Sequence, residues 1–149
     1  LEVLERIYLA LGYDREAMWQ AVSGGFMLSV DVAHALHPNY GEKYDPYTRP
    51  VLNGGVALKQ AASQSYAGDA QAVAIIKALC QQEGIPCQMF VNHADQLGGS
   101  TLGSIASALV PMRTMDVGVA MLSMHSARET MGAADQQALN ELISKFYTV

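Results

Sequence analysis

Residues Gly68-Asp69-Ala70-Gln71-Ala72-Val73-Ala74-Ile75-Ile76-Lys77-Ala78-Leu79-Cys80-Gln81-Gln82-Glu83-Gly84-Ile85-Pro86-Cys87-Gln88-Met89-Phe90-Val91 hold one complete structural unit. Ala72, Val73, Ile76, Leu79 and Cys80 recur at helical spacing and mark the inner face of a helix. Gly68-Asp69 opens that helix, which runs to about Glu83, and Gly84-Ile85-Pro86 ends it. Cys87 to Val91 then reads as a short strand. A helix, a tight turn and a strand in that order make an αβ unit of a parallel or mixed sheet.

Working outward, Leu1, Val3, Leu4, Ile7, Tyr8 and Leu11 mark one face of a first helix, and Gly12 closes it. Asp14 is placed to cap a second helix through about Ser23. Gly24-Gly25 leads into a strand over 26–31. Residues 38–54 are rich in Pro, Gly, Asn, Tyr and charge, and predict a long ordered loop of the kind that often carries function. A strand is expected over 55–59, and Gly98-Gly99-Ser100-Thr101-Leu102-Gly103 turns into a helix reaching about Leu109. Met112 to Val119 reads as a strand interrupted by Asp116 and Gly118, and Ala134 to Phe146 as a closing amphipathic helix. The sum predicts a three-layer α/β/α domain with a mixed sheet of roughly four strands.

The chain has 149 residues, half of them hydrophobic and 15% charged, which suits one globular domain with a real core. A net charge of -5 excludes nucleic acid as a partner, because neutralising phosphates needs a basic face. No apolar run approaches the ~20 residues of a membrane span. No signal peptide is legible, and the two cysteines, Cys80 and Cys87, read as reduced packed thiols of a cytoplasmic protein. The first residue is not Met and lies inside a helical pattern, so residues 1–149 are expected to be a piece of a longer protein.

The chemistry concentrates in Ser29-Val30-Asp31-Val32-Ala33-His34-Ala35-Leu36-His37-Pro38-Asn39-Tyr40. Asp31 is expected where a strand meets a loop, either as a turn former or as a metal ligand. His34 and His37 lie three apart and are expected to face one site on a turn. Alone, such a pair is as often structural as functional. His125, within Met124-His125-Ser126-Ala127-Arg128-Glu129, is a surface or satisfied histidine by default. Lys59 ends an apolar strand and by default is solvated, and the Gly98–Gly103 turn is by default a helix start capped by Ser or Thr. His93 is read as structural, and the eight Met residues mostly as core.

Taken together, these segments resemble the aspartyl aminopeptidase family of two-metal peptidases. The first segment is similar to its S-x-D-x-A-H-A-x-H-P-N-Y signature and residues 124–129 to its M-H-S-x-R-E box, about ninety residues downstream. Asp95 through Gly103 resembles its D-x-x-x-G-[ST]-T-x-G box, and Gln64-Ser65-Tyr66-Ala67 its Q-R-Y-A segment. The resemblance runs in collinear order from about Ser23 to Glu129. It implies Asp31 and His125 as metal ligands, and His34, Lys59 and Tyr66 as substrate-binding residues. It also implies zinc as cofactor, two ions per complete site, with manganese or cobalt also accepted by such ligands.

Two departures stand out. Gly41-Glu42-Lys43-Tyr44-Asp45 occupies the place of a family E-K-H-[ED] segment, and Ser65 replaces the usual Arg. They weigh against a strict preference for acidic N-terminal residues. The family's upstream His, bridging Asp and Glu-Glu pair, which includes the general base, have no counterpart in the chain. Residues 1–149 are therefore expected to be the C-terminal part of a metallopeptidase catalytic domain, without its inserted oligomerisation domain. The chain alone should bind zinc weakly and not hydrolyse peptides, whereas the complete protein would be a homo-oligomeric aminopeptidase acting on peptides. The competing expectation is a non-catalytic interaction or scaffold domain derived from such a peptidase. An α/β-hydrolase reading fails for want of a G-x-S-x-G elbow.

Overall fold

The computed structural model describes residues 1–148. Its elements, in order, are α1 (Glu2–Ala10), α2 (Arg15–Gly24), β1 (Phe26–His34), a 3-10 turn (Gly41–Lys43), β2 (Val56–Gln60), α3 (Ala70–Glu83), β3 (Cys87–Val91), α4 (Leu102–Leu109), β4 (Arg113–Leu122), β5 (Thr130–Met131) and α5 (Ala133–Phe146). The predicted αβ unit is present. Asp69 caps α3 through a 2.6 Å hydrogen bond from the Ala72 N–H. Gly84 ends it in the left-handed conformation, φ 68°, where a Cβ would be strained. Asp14 caps α2 in the same way, accepting from the Ala17 N–H at 2.8 Å.

The sheet is mixed and runs β1-β4-β2-β3, with β5 paired to β4. β1 is parallel to β4 and β2 to β3, whereas β2 and β4 are antiparallel. The period-2 alternation of strands decides what faces what. Val56, Leu58, Met115, Val117, Val119 and Met121 point to one side, where Ala72, Ile76 and Leu79 of α3 and Leu139 and Leu142 of α5 cover them. The opposite side carries Ala33, Ala57, Phe90 and, from the loop after β2, Tyr66. There α4 lies on β1 and β4, so helices occupy both faces of the sheet. Gly103 permits that approach, because a Cβ on it would stand 2.6 Å from both the Asp116 Oδ1 and the Ser29 Oγ.

Several local expectations change. β1 continues three residues past the predicted end, because its parallel pairing with β4 holds to His34 opposite Met121. Asp31 is therefore in mid-strand rather than at a strand–loop junction. His34 ends the strand and His37 lies beyond it, so the two do not share a turn. β4 passes straight through Asp116 and Gly118, which neither break nor shorten it. The sheet's five strands fall within the expected count of roughly four, the fifth being the two residues of β5, too short to show periodicity. Met18 and Met115 are wholly buried, but Met131 is exposed. Both thiols are free; burial, with Cys87 nearby, pushes that of Cys80 up to about 12.

Candidate active site

A cavity of about 600 Å³ opens on the face that carries α4, beside the carboxyl end of β1. Parallel strands deliver side chains to such ends. Asp31, His34, Lys59, Tyr66 and His125 all line this one space, although they come from β1, β2 and two separate loops. His37 does not. It lies in a neighbouring pocket with His93, which His34 also lines.

Lys59 organises the cavity. Odd-numbered residues of β2 face this side, so the lysine leaves the apolar strand inward and its side chain is only 4% exposed. A buried ammonium needs partners. Its Nζ donates to the Val32 carbonyl at 2.7 Å, stands 3.4 Å from the Asp31 Oδ2 and lies 4.4 Å above the Tyr66 ring centroid. Burial lowers its pKa, while the charges of Asp31 and Asp116 pull it back up. The expectation of a solvated lysine fails because the alternation of a covered strand outranks the residue's preference for water.

Tyr66 is fixed from both sides. Its hydroxyl accepts from the Asn92 amide at 3.0 Å and its ring packs on Phe90, 5.9 Å between centroids. The loop that carries it is tied to β4 through Asp116, whose Oδ2 accepts the Ala67 N–H. The same oxygen accepts the Thr101 hydroxyl at 2.6 Å. Thr101 sits at the N-cap of α4 but makes no side-chain cap bond, contrary to the capping expectation. Asp116 is wholly buried and its Oδ1 has no partner. It thus ties the Tyr66 loop and the start of α4, two walls of the cavity, to the sheet. An acid inside an apolar strand was the one sequence sign of it.

His34 keeps its outer edge in solvent and lies 6.3 Å from Phe90. Partial burial lowers its pKa, and repulsion from Lys59 and from the neighbouring His125 lowers it further. His125 lies in a turn closed by the Ser126 N–H on the Ser123 carbonyl, 3.0 Å. Its φ of 68° is left-handed, a strained state for a non-glycine residue that needs support. Glu129 gives it, accepting the His125 N–H at 2.6 Å. The wall residues Phe90 and Ile105, and Asn92 that holds the Tyr66 hydroxyl, carry no motif of their own and were not legible in the sequence.

Among the described residues, no group of three or more His, Cys, Asp and Glu stands close enough to hold a metal ion. Asp31 and His125 are suitable donor types, but two donors fall short of the three protein ligands of a catalytic zinc. None of the described helices is long and apolar enough to cross a membrane.

Comparison with known proteins identifies relatives of the chain and of its fold. Residues 1–147 match the family described as aminopeptidase I zinc metalloprotease (M18). A probable M18 family aminopeptidase 2 of Clostridium novyi (strain NT) is 47% identical over 99% of the chain, and its namesake in Clostridium acetobutylicum 43% identical over 99%. Each match covers 34% of the relative's own length, so the chain spans about a third of the relatives it resembles. Among solved structures, that of the Ape4 and Nbr1 complex superposes with a TM-score of 0.91 at 36% identity, covering 98% of this chain and 28% of that one. An M18 aminopeptidase from Thermotoga maritima superposes at 0.84 with 25% identity, covering 97% and 34%. The S. cerevisiae mApe1 dodecamer superposes at 0.73 with 28% identity, covering 87% and 28%.

The layered α/β architecture is that of M18 aminopeptidase catalytic domains. The chain belongs to the M18 aminopeptidase family of zinc metalloproteases.

Proposed function

We propose that residues 1–149 are the C-terminal part of the catalytic domain of a metal-dependent aminopeptidase, which removes N-terminal residues from peptides. The observation that carries this is convergence. Five residues drawn from four separate sequence segments, Asp31, His34, Lys59, Tyr66 and His125, line one cavity in a chain whose relatives are named aminopeptidases.

In this reading Asp31 and His125 are terminal ligands, one to each of two zinc ions, with manganese or cobalt as substitutes. The metal would supply Lewis-acid activation of a water and of the scissile carbonyl. The remaining ligands and the general-base Glu come from outside the chain. Lys59 and Tyr66 bind the substrate: a buried ammonium pinned to the Val32 carbonyl offers a fixed positive point for a carboxylate or carbonyl oxygen. Acidic N-terminal residues are the class that such a point favours. His34, with its pKa lowered, stays neutral near pH 7 and can donate or accept a hydrogen bond at the reacting centre. The complete protein is a cytoplasmic homo-oligomer, and a solved neighbour is itself a dodecamer.

The test is zinc titration calorimetry on this chain and on the complete protein, together with Asp31→Ala in the complete protein. Weak, non-stoichiometric binding here, two tight sites there and loss of peptidase activity on substitution are expected. Near-wild-type activity of the variant would remove Asp31 from the metal site. Tight one-to-one binding by this chain would break the division of ligands. A second reading, a non-catalytic scaffold domain, is favoured by the missing third donor among the described residues. It predicts no zinc sites and no activity in the complete protein.

A further inference from the structure

Beside the main cavity lies a second pocket of about 250 Å³, separated from it by a wall of His34 and Phe90 that both share. Its other walls carry His37, Tyr40, Lys43, Tyr44 and His93. Three of the chain's four histidines therefore meet in one small space, in a protein of net charge -5. None of the residues lining it is acidic. Glu42, Asp45 and Asp95, the acids close in sequence, are not among its lining residues, and Asp45 is engaged in its own turn. Asp45 accepts the Tyr47 and Thr48 N–H groups at 2.9 and 2.7 Å and the Thr48 hydroxyl at 3.0 Å within its own turn. Asp95 meets His93 through its backbone, whose N–H donates to the His93 Nδ1 at 3.1 Å.

The tautomers follow from these bonds. The His93 Nδ1 accepts from Asp95, and the His37 Nδ1 accepts from the Asn39 N–H at 3.1 Å. A neutral imidazole that accepts at Nδ1 carries its hydrogen on Nε2, so each ring has one N–H donor left to give. Lys43 adds an ammonium, held 5.0 Å over the Tyr40 ring, and that ring lies 4.9 Å from His37. Tyr44, which stands where the family segment has a histidine, joins the wall, and a bridge to Asn92 fixes its backbone. Burial pushes its phenol up, so the hydroxyl keeps its proton and remains a donor. The set is rich in donors and poor in acceptors, the inverse of a cation site.

We propose that this pocket is an oxyanion subsite, in which Lys43 and the Nε2–H groups of His37 and His93 bind a carboxylate or phosphoryl group. The inference goes beyond the peptidase reading and does not depend on metal in the main cavity. Two sources share the chemistry: the carboxylate of a peptide whose other end lies in the main cavity, or a free anion. The shared wall of His34 and Phe90 makes the first geometrically direct.

The test is NMR of the four histidine side chains of this chain, titrated with inorganic phosphate and separately with trialanine. Phosphate is expected to move the His37 and His93 signals saturably and to leave His125 in place. Lys43→Met and His93→Ala should each weaken phosphate binding about tenfold, the worth of one charge-assisted hydrogen bond. If trialanine moves His37 and His93 together with His125 and competes with phosphate, the subsite serves a peptide carboxylate. If phosphate binds and trialanine does not compete, it serves a free anion. Absence of saturable shifts, shifts confined to His34 and His125, or binding unchanged in both variants would each overturn the assignment. The backbone spectrum of each variant reports whether it has kept its fold.

Discussion

Replacing Asp116 by Ala tests whether one buried carboxylate holds two walls of the main cavity. Its Oδ2 accepts from the Ala67 N–H and from the Thr101 hydroxyl, and both donors are buried. Removing it orphans the two, at about 1–3 kcal/mol each. The loss is partly offset, because the Oδ1 already lies buried without a partner and its removal recovers about 1–3 kcal/mol. The net expectation is a destabilisation of about 1–3 kcal/mol, or about 3–10 °C in Tm for a chain of this size. Thr101→Val removes one donor and leaves the other bonded, so it should cost about 1–2 kcal/mol. Urea unfolding followed by circular dichroism on wild type, both single variants and the double variant closes a mutant cycle. A coupling of about 1–2 kcal/mol is expected for a direct hydrogen bond. Additivity within about 0.3 kcal/mol would refute the reasoning, because the Thr101 hydroxyl would then owe nothing to Asp116.

Asp135, wholly buried at the start of α5, accepts the Asn53 and Gly55 N–H groups at 2.7 Å each, so Asp135→Ala should cost about 2–4 kcal/mol and free the loop before β2 to faster amide exchange. Gly103→Ala places a Cβ 2.6 Å from the Asp116 Oδ1 and the Ser29 Oγ and should lift α4, costing about 1–3 kcal/mol by thermal denaturation; a neutral result would mean that α4 is not seated as described. His34 gives a pH signature. Its folded pKa lies below 6.5 because burial, Lys59 and His125 all disfavour its charge, so the unfolded chain binds the proton more readily. Its effect is absent above the unfolded value, and stability is lost as pH falls from there through the lowered folded value. The urea midpoint should therefore drop more in wild type than in His34→Gln between pH 7.5 and pH 5.5, and equal drops would refute the shift.

The local code of this chain is strong where the sequence punctuates itself. Asp69, Gly84 and Pro86 bound α3 by capping and by chain geometry that needs no distant partner, so the αβ unit could be read directly. The site residues were legible because they fall in motifs, with Asp31 and His34 in one and His125 in another. Their order along the chain established family resemblance, but not their distances. The end of β1 was not legible, because residues 32–34 are held in the strand by β4, some ninety residues away. The same non-local pairing put Asp31 in mid-strand and His34 in the strand rather than on a turn with His37, although both line the smaller pocket. Lys59 shows the divide most plainly. Its sequence says an exposed lysine, and only a sheet covered on both faces, with Val32, Asp31 and Tyr66 brought around it, turns it into a buried cation. Asp116 likewise looked like a fault in a strand until Ala67 and Thr101 were folded onto it. Hydrophobic period and caps are written in neighbouring residues, so the sequence alone determined the elements and their family. The partners of a buried charge lie far off in the chain, so only the tertiary structure decided which charged groups make the site.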